Sequence, residues 1–253
     1  MKEKKNKLQE DLLRDFEALK FTRIPEIYQE VLDESAAKNW SFLRTLAYLM
    51  GHEAASRAER ALQRRIKRAR LPKKKTLEEY DFSFPQRIPK QKILRAFDTD
   101  FIQEHANLVF IGNQGTGKTH LLVALAYIAC EKGISVRFTR AIDMINELTT
   151  AQINGTLGKA LRPYINPSLV LLDELGYLPV DKRGADLLFQ VVAARYETGS
   201  IVISTNRAFK NWGAILDVDN TLATALIDRL MHHGEAIVIK GKSYRLKNRE
   251  DIL

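Results

Sequence analysis

A glycine-rich stretch between a short apolar run and a longer apolar segment constrains the fold of this chain more than any other feature. Its eight residues are Gly112, Asn113, Gln114, Gly115, Thr116, Gly117, Lys118 and Thr119. This spacing is typical of a phosphate-binding loop, which requires a buried strand before it and a helix after it. The run 108–111 and the segment 121–130 supply that order. The pattern therefore predicts a strand–loop–helix unit in a parallel α/β sheet.

Each residue type in this loop has a physical role toward a nucleoside triphosphate. The glycines let backbone N–H groups close around phosphate oxygens, and the amino end of the following helix adds positive partial charge. Lys118 would neutralise the β and γ phosphates, and the Thr119 hydroxyl would reach a magnesium ion. His120 follows directly and is included among the nucleotide-binding residues. The loop predicts a nucleoside triphosphate with Mg²⁺. The sequence contains no Asn-Lys-x-Asp stretch of the kind that reads guanine, which favours adenine and therefore ATP.

Four more short apolar runs alternate with helical stretches downstream of the loop. They cover residues 135–139, 169–172, 201–204 and 236–239. Their apolar residues are continuous rather than alternating, which is typical of strands buried on both faces of a sheet. The whole pattern predicts an α/β fold in which a five-stranded parallel sheet lies between helices.

The third run is followed by two adjacent carboxylates, Asp173 and Glu174. Ligands of open parallel sheets bind at the carboxyl ends of the strands. Asp173 would hold Mg²⁺ through water, and Glu174 would orient and polarise the water that attacks the γ-phosphate. An acidic pair after a strand more often caps a helix, so this assignment depends on the phosphate loop.

Two further polar residues are candidates for catalysis. Asn206 follows the fourth run and could contact the γ-phosphate or the attacking water if that strand lies between the first and third; otherwise Thr205 and Asn206 begin a turn. Arg229 lies on a helix before the fifth run, where it could reach the nucleotide of a neighbouring subunit and stabilise transition-state charge. The alternative for Arg229 is an ion pair with Asp228 or Glu235.

The net charge of +9 is concentrated in one segment of the 253-residue chain. Residues 57–75 hold ten basic side chains and one acid, which leaves the remainder neutral. Apolar residues recur at helical spacing through residues 1–75, so the basic run is one face of a helix. Such a face favours nucleic acid, although a merely solvated face is the alternative. The DNA-binding candidates are Arg64, Arg65, Arg68, Arg70, Lys159 and Arg162, followed by Lys240, Lys242, Arg245 and Lys247.

Residues 71–89 carry prolines and clustered charge without a steady period, which indicates a linker and lead-in segment. We place the domain boundary there, with a helical N-terminal domain at 1–75 and an α/β domain at 76–253. The single cysteine, Cys130, precludes an intramolecular disulfide. The apolar runs fall short of the roughly 18 residues that span a bilayer. We therefore expect a reducing, cytoplasmic setting without membrane insertion.

His232 and His233 are adjacent in the chain. On a helix their side chains would face apart and would chelate a metal poorly. We expect them to be ordinary surface or interface residues.

The loop and several flanking blocks resemble the IstB-type transposition helper ATPases of bacterial insertion sequences. The blocks are 171–179, 204–207 with Trp212 and Gly213, 226–233, 243–245 and, at the join between the domains, 69–72 and 75–82. The resemblance covers nearly the whole chain. The ATPase motifs alone would also fit DnaC-type helicase loaders, so the assignment depends on the flanking blocks.

The resemblance implies an AAA+ ATPase that assembles on duplex DNA with ATP, helps to choose the insertion target, and recruits or stimulates a partner transposase. At the matching positions, Asp173 and Glu174 become the Walker B pair, Asn206 becomes sensor 1, and Arg229 becomes the arginine finger between subunits of a homo-oligomer. A sensor 2 arginine on a C-terminal helical lid is not evident. Closure over the adenine is then expected from a neighbouring protomer or from the N-terminal helices.

Two other functions remain as alternatives. A helicase loader would prefer single-stranded DNA. A nucleotide-gated module would place its basic helix against anionic lipid, but the apolar face at positions 58, 62, 66 and 69 is small and lacks Trp and Phe. The sequence therefore favours the transposition ATPase.

Overall fold

The computed structural model describes residues 2–216 and 220–244, so Arg245 and Lys247 lie outside the described residues. The chain divides into two compact units, Met1–Arg64 and Arg65–Leu253. Within the second unit, Arg65 Nε donates to the Cys130 carbonyl at 2.8 Å. The domain boundary after residue 75 stays a prediction.

The first unit is helical, as predicted from its apolar periodicity. Its helices are α1 (Lys2–Ala18), α2 (Ile24–Ala37) and α3 (Phe42–Ala69), the last of which continues into the second unit. Ser41 caps α3, because its Oγ accepts the Arg44 N–H at 3.3 Å. The buried Glu53 carboxylate accepts the backbone N–H groups that begin α2, from Thr22, Arg23 and Ile24.

The second unit alternates strands and helices. Its strands are β1 (Asn107–Gly112), β2 (Val136–Arg140), β3 (Leu169–Leu175), β4 (Ser200–Thr205) and β5 (Gly234–Ile239). Its helices are α4 (Lys90–Phe97), α5 (Asp100–Gln103), α6 (Lys118–Glu131), α7 (Ala141–Ile153), α8 (Leu157–Ile165), α9 (Lys182–Arg195), α10 (Trp212–Ile215) and α11 (Asn220–His232). A short 3-10 turn at Phe209–Asn211 precedes α10. The five predicted strands are confirmed.

The sheet is parallel throughout, in the order β2-β3-β4-β1-β5. Strand β4 thus lies between β1 and β3, which is the arrangement required for Asn206 to reach the nucleotide. The central strands are fully covered: Val109 and Val202 are among the side chains with no exposed surface. Burial on both faces explains why these strands are continuous apolar runs.

At the amino edge of the sheet, the buried Arg195 fixes the connections into β3 and β4. Its two Nη groups donate at 2.8–3.1 Å to the carbonyls of Tyr164, Ile165, Pro167, Ser168 and Ser200. Burial lowers the pKa of Arg195 to about 10, which still leaves the group charged at neutral pH. Across the described ranges, every helix is too short or too polar to span a lipid bilayer.

Candidate nucleotide-binding site

The predicted phosphate loop joins β1 to α6 at the carboxyl edge of the sheet. Gly115 and Gly117 have φ angles of +73° and +86°, in the left-handed region that favours glycine. A Cβ atom at Gly117 would lie 2.5 Å from Cε2 of Tyr80. The backbone can therefore curl at these positions only because they carry no side chain. The predicted strand–loop–helix unit is confirmed.

Lys118 begins α6 and is buried. Its Nζ donates to the carbonyls of Gly112 at 2.7 Å and Asn113 at 2.8 Å. The ammonium group is thus held across the loop, at the amino end of a helix where phosphate groups bind. This is the position from which it would neutralise phosphate charge.

Asp173 and Thr119 meet at the end of β3. Thr119 Oγ1 donates to Asp173 Oδ1 at 3.1 Å, and the Ser204 hydroxyl donates to the same carboxylate oxygen. Hydroxyl and carboxylate oxygens are the ligands that Mg²⁺ prefers. The donor set therefore fits the ion. Sequence reasoning missed Ser204, although a polar residue within an otherwise apolar strand was an available signal.

Glu174 has the left-handed φ angle of +60°. The pairing of β3 with β4 shifts register between Leu172 and Leu175, so Glu174 bulges out of the ladder. Its backbone N–H is retained by Ser204 Oγ at 3.0 Å. A non-glycine residue in this region costs of order 1 kcal/mol or more, and such strain is concentrated at functional sites. The bulge directs the exposed carboxylate to the cavity described below.

Asn206 follows β4 at the same edge. Its buried Oδ1 has no hydrogen-bond partner among the described residues. An unpaired buried amide oxygen costs about 1–3 kcal/mol, so a fold retains one mainly where a ligand or water will bind it. Asn206 lines the same cavity as Glu174.

A cavity of 530 Å³ lies over the loop. It is lined by residues 114–120, by Glu174, by residues 204–206 and Tyr244, and by residues of the segment 72–85. His120 faces this segment, with its Nε2 at 2.7 Å from the Thr76 carbonyl oxygen. The loop, the carboxylate and Asn206 are thereby brought together, as the sequence predicted.

The aromatic wall of this cavity comes from segments that sequence reasoning treated as linker and tail. Tyr80 donates its hydroxyl to the Thr116 carbonyl at 2.9 Å, and the Tyr244 N–H donates to the Gly115 carbonyl at 2.9 Å. The Phe84 and Tyr244 rings meet edge to face at 4.9 Å. Burial raises the pKa of Tyr80 to about 12, with a smaller contribution from the negative charge of Asp81. The missed signal was the aromatic clustering at positions 80, 82 and 84.

Arg229 does not line this cavity. Its Nη1 donates to the Ala225 carbonyl at 3.1 Å, and its guanidinium lies over the Phe189 ring at 4.8 Å. In the described part of the chain it forms no ion pair, and Glu235 is paired with Lys92. The ion-pair alternative is therefore not observed. A role at a neighbouring subunit's nucleotide stays a prediction.

The six DNA-binding candidates differ in their contacts. Arg65 is half-buried through its bond to Cys130, and Arg70 approaches Glu147 at 3.9 Å. The others, Arg64, Arg68, Lys159 and Arg162, are exposed.

The strand order, the phosphate loop and the polar groups at one edge define a P-loop ATPase of the AAA+ class. The chain belongs to the family of IstB-like ATP binding proteins, whose model matches residues 15–252. It is an ATPase; Asp173 accepts a hydrogen bond from the loop residue Thr119, and Glu174 lines the cavity.

Named relatives come from insertion sequences. The chain is 35% identical to the ATP-binding protein of IS5376 from Geobacillus stearothermophilus, covering 88% of this chain and 89% of the relative. It is also 35% identical to that of IS232 from Bacillus thuringiensis subsp. berliner, covering 96% and 97%. For IS21 of Pseudomonas aeruginosa the identity is 35%, covering 91% and 87%.

Solved structures share the fold. The DnaC helicase loader matches with a TM-score of 0.55 and 24% identity, covering 65% of this chain and 96% of that chain. AMPPCP-bound DnaA from Aquifex aeolicus matches with a TM-score of 0.57 and 23% identity, covering 70% and 54%. At these identities the likeness concerns architecture.

Proposed function

We propose that this ATPase is a transposition regulator, which assembles on duplex target DNA with ATP and recruits or stimulates a partner transposase. The observation that carries the ATP-dependent part is the carboxyl edge, where a strained Glu174 and an unpaired Asn206 oxygen face the cavity over the phosphate loop. Relatives named for insertion sequences support the transposition context. The proposed setting is the cytoplasm.

In this proposal each residue at the edge acts on the nucleotide directly. Lys118 exchanges its loop carbonyls for phosphate oxygens. Thr119 and Asp173 would hold Mg²⁺, which supplies positive charge to the phosphates when bound. Glu174 orients and polarises the attacking water, and the Asn206 amide oxygen accepts a hydrogen bond from that water. Pro72, Tyr80, Phe84 and Tyr244 provide an apolar wall for the base.

Arg229 serves the nucleotide of a neighbouring copy in a homo-oligomer. Two defective variants test this directly. Lys118→Ala removes the nucleotide site but keeps the arginine, whereas Arg229→Ala keeps the site but removes the arginine. Each is expected to be inactive alone, and a mixture should regain ATP hydrolysis because one subunit complements the other. A mixture that stays inactive, while both variants still assemble, would contradict the proposal.

DNA is bound through its phosphates by exposed basic residues of the segment 57–75 and of α8. Replacing Arg64 and Arg68 with Gln should flatten the log–log salt dependence of duplex binding by about one unit for each lost phosphate contact. Arg183, an exposed residue of α9, provides the matched control as Arg183→Gln. An unchanged salt slope would remove this segment from the DNA interface.

The function is tested by measuring particle size and DNA binding on a short duplex and on a single strand, with and without ATP, for wild type and Glu174→Gln. Large ATP-dependent assemblies on duplex that persist in the variant are expected. The second candidate is a helicase-loader role, favoured by the DnaC-like fold. Small complexes that prefer the single strand would support that role instead.

The transposase is tested separately. The partner encoded with the ATPase should co-sediment with the duplex-bound, ATP-containing assembly of Glu174→Gln, and not with ADP-containing protein. Co-sedimentation that ignores the nucleotide would contradict ATP-dependent recruitment.

A further inference from the structure

A cluster of metal-ligating side chains lies at the amino edge of the sheet, at the opposite ends of the strands from the nucleotide cavity. Glu197, His232 and His233 each offer one ligand atom within 4.8 Å of the others. All three residues are exposed, and Nε2 of His233 lies 3.5 Å from Oε1 of Glu197. Within 2–216 and 220–244, this is the one group of three or more His, Cys, Asp or Glu side chains so arranged.

The two histidine rings do not face apart, so that part of the sequence expectation is wrong; both residues are exposed, as expected. Helix α11 ends at His232, and His233 lies in the turn that leads into β5. The helical spacing that would separate the rings therefore no longer applies to His233. The ring centroids are 4.1 Å apart, which brings both imidazoles to the same side.

Tyr196 orients the first of these rings. Its hydroxyl oxygen lies 2.6 Å from Nδ1 of His232, and the two rings stack at 5.9 Å. With its proton on Nδ1, His232 donates to the Tyr196 oxygen and keeps a lone pair on Nε2. Metal-binding histidines ordinarily donate their other N–H in this way, which fixes both the tautomer and the ring orientation.

The turn that carries Glu197 is held by backbone hydrogen bonds to Arg195. Glu197 has a left-handed φ of +57°, and the next two N–H groups, of Thr198 and Gly199, both donate to the Arg195 carbonyl at 3.1 Å. Arg195 is itself held by five carbonyls. The carboxylate therefore projects from a fixed point of the fold.

Buried Asn107 holds the two connections together. Its N–H donates to the His233 carbonyl at 2.9 Å and its Nδ2 to the Leu230 carbonyl at 3.2 Å. Its Oδ1 accepts the Ile201 N–H at 2.8 Å. One residue of β1 thus bonds to the start of β4, which follows Glu197, and to the end of α11, which carries the histidines. A metal site needs this kind of preorganisation.

We propose that Glu197, His232 and His233 bind a divalent transition-metal ion, with Zn²⁺ as the natural occupant. Two imidazoles and one carboxylate form a donor set that Zn²⁺ takes in tetrahedral geometry, with the fourth position left to water. Zinc–ligand bonds of about 2.0–2.2 Å place tetrahedral ligand atoms roughly 3.3 Å apart. The ligand atoms, which lie within 4.8 Å of one another, would therefore move together by up to about 1.5 Å when the ion binds. The bound ion would join the turn after α9 to the turn after α11.

The test uses the full chain without a polyhistidine tag, stripped of metal and nucleotide. Zn²⁺ is titrated in competition with a chromophoric chelator. One Zn²⁺ per chain is expected for wild type, and His233→Ala and Glu197→Gln should each weaken binding at least tenfold. His105 is an exposed histidine outside the cluster with a φ of +53°, which Asn tolerates. His105→Asn is therefore the matched control and should bind as wild type does.

Two further readouts do not depend on ATP hydrolysis. Zn²⁺ should raise the melting temperature of wild type and of His105→Asn but not of the cluster variants, and a chelator should reverse the shift. Co²⁺ should give the visible absorption of a four-coordinate ion in wild type only. No measurable Zn²⁺ binding, or binding that the cluster variants leave unchanged, would overturn the proposal and leave only a surface contact between His233 and Glu197.

Discussion

The amino and carboxyl edges of the same sheet use buried polar groups differently. At the amino edge, Arg195 and Asn107 direct their hydrogen bonds to carbonyl and N–H groups of their own chain. At the carboxyl edge, the Oδ1 of Asn206 has no partner among the described residues, and Glu174 is held in a left-handed backbone conformation. At the amino edge most of these hydrogen bonds join segments of the fold, although Nε of Arg195 has no partner among the described residues. At the carboxyl edge, Glu174 and Asn206 both line the cavity over the phosphate loop.

A ligand site in such a sheet can be located by comparing the two edges. Both edges contain buried charge, so burial alone does not separate them. Their surroundings do, because Asn206 and Glu174 line the cavity over the phosphate loop, whereas the Nη groups of Arg195 are bonded to five backbone carbonyls. Substitutions at the two edges should therefore affect different observables, namely turnover at the carboxyl edge and the free energy of unfolding at the amino edge.

The largest effect is expected for Lys118→Ala. Loss of the ammonium group should lower ATP turnover at least 10³-fold, about 4 kcal/mol, because nothing else in the loop supplies a full positive charge to the phosphates. ATP affinity, measured with a fluorescent analogue, should fall at least tenfold. The exposed Lys182, replaced as Lys182→Ala, is the control and should leave both values unchanged.

The next effect is expected for Arg195→Lys. A lysine ammonium group has three N–H donors on a single nitrogen and cannot serve all five carbonyls, so several buried carbonyls would lose their partners. The free energy of unfolding should fall by about 3 kcal/mol, measured by urea denaturation. Arg183→Lys on the same helix should change it little. Stability equal to that of wild type would contradict the role assigned to the amino edge.

A smaller effect is expected for Asn206→Ala. Turnover should fall roughly 10- to 100-fold, while the free energy of unfolding stays within about 0.5 kcal/mol of wild type or rises, because a buried unpaired oxygen is removed. Both quantities are to be measured on one preparation. A lower free energy of unfolding with unchanged ATP turnover would show that Asn206 serves the fold and not the nucleotide.

The smallest effect at neutral pH is expected for Tyr80→Phe, which removes one hydrogen bond of about 1 kcal/mol to the Thr116 carbonyl. Its signature is a pH dependence. The folded pKa of Tyr80 is raised to about 12, above the value of about 10 for an unfolded chain. The contribution of the Tyr80 hydroxyl to the free energy of unfolding is therefore fully present below about pH 10. It is lost as the pH rises from about 10 to about 12.

Urea denaturation of wild type and Tyr80→Phe across that interval measures this difference. The stability gap between the two proteins should narrow as the pH rises. A constant gap would show that the Tyr80 hydroxyl is not buried against the loop.

The sequence predicted the features that local spacing determines. The phosphate loop, the five strands and the placement of Asp173, Glu174 and Asn206 follow from motif and periodicity within a few residues. The position of β4 between β1 and β3 followed only from an assumption about topology, which the fold confirms.

The sequence did not predict contacts between distant segments. Ser204 bonds to Asp173, 31 residues away, and Tyr80 bonds to Thr116, 36 residues away. Neither pairing has a local signal, since it depends on how the strands and the segment 72–85 are arranged. The prediction that the His232 and His233 rings face apart was wrong for a different reason. It assumed that both residues lie on one helix, but α11 ends at His232, and the two ring centroids are 4.1 Å apart.

The most direct test of the account is ATP turnover and ATP affinity measured together for wild type, Glu174→Gln and the exposed-site control Glu104→Gln. The account predicts that Glu174→Gln lowers turnover by about 10²- to 10⁴-fold while ATP affinity stays within about threefold, or 0.7 kcal/mol, of wild type. The control should match wild type in both. Turnover retained in Glu174→Gln, or affinity lost in parallel with turnover, would contradict the assignment of Glu174 as the residue that activates water.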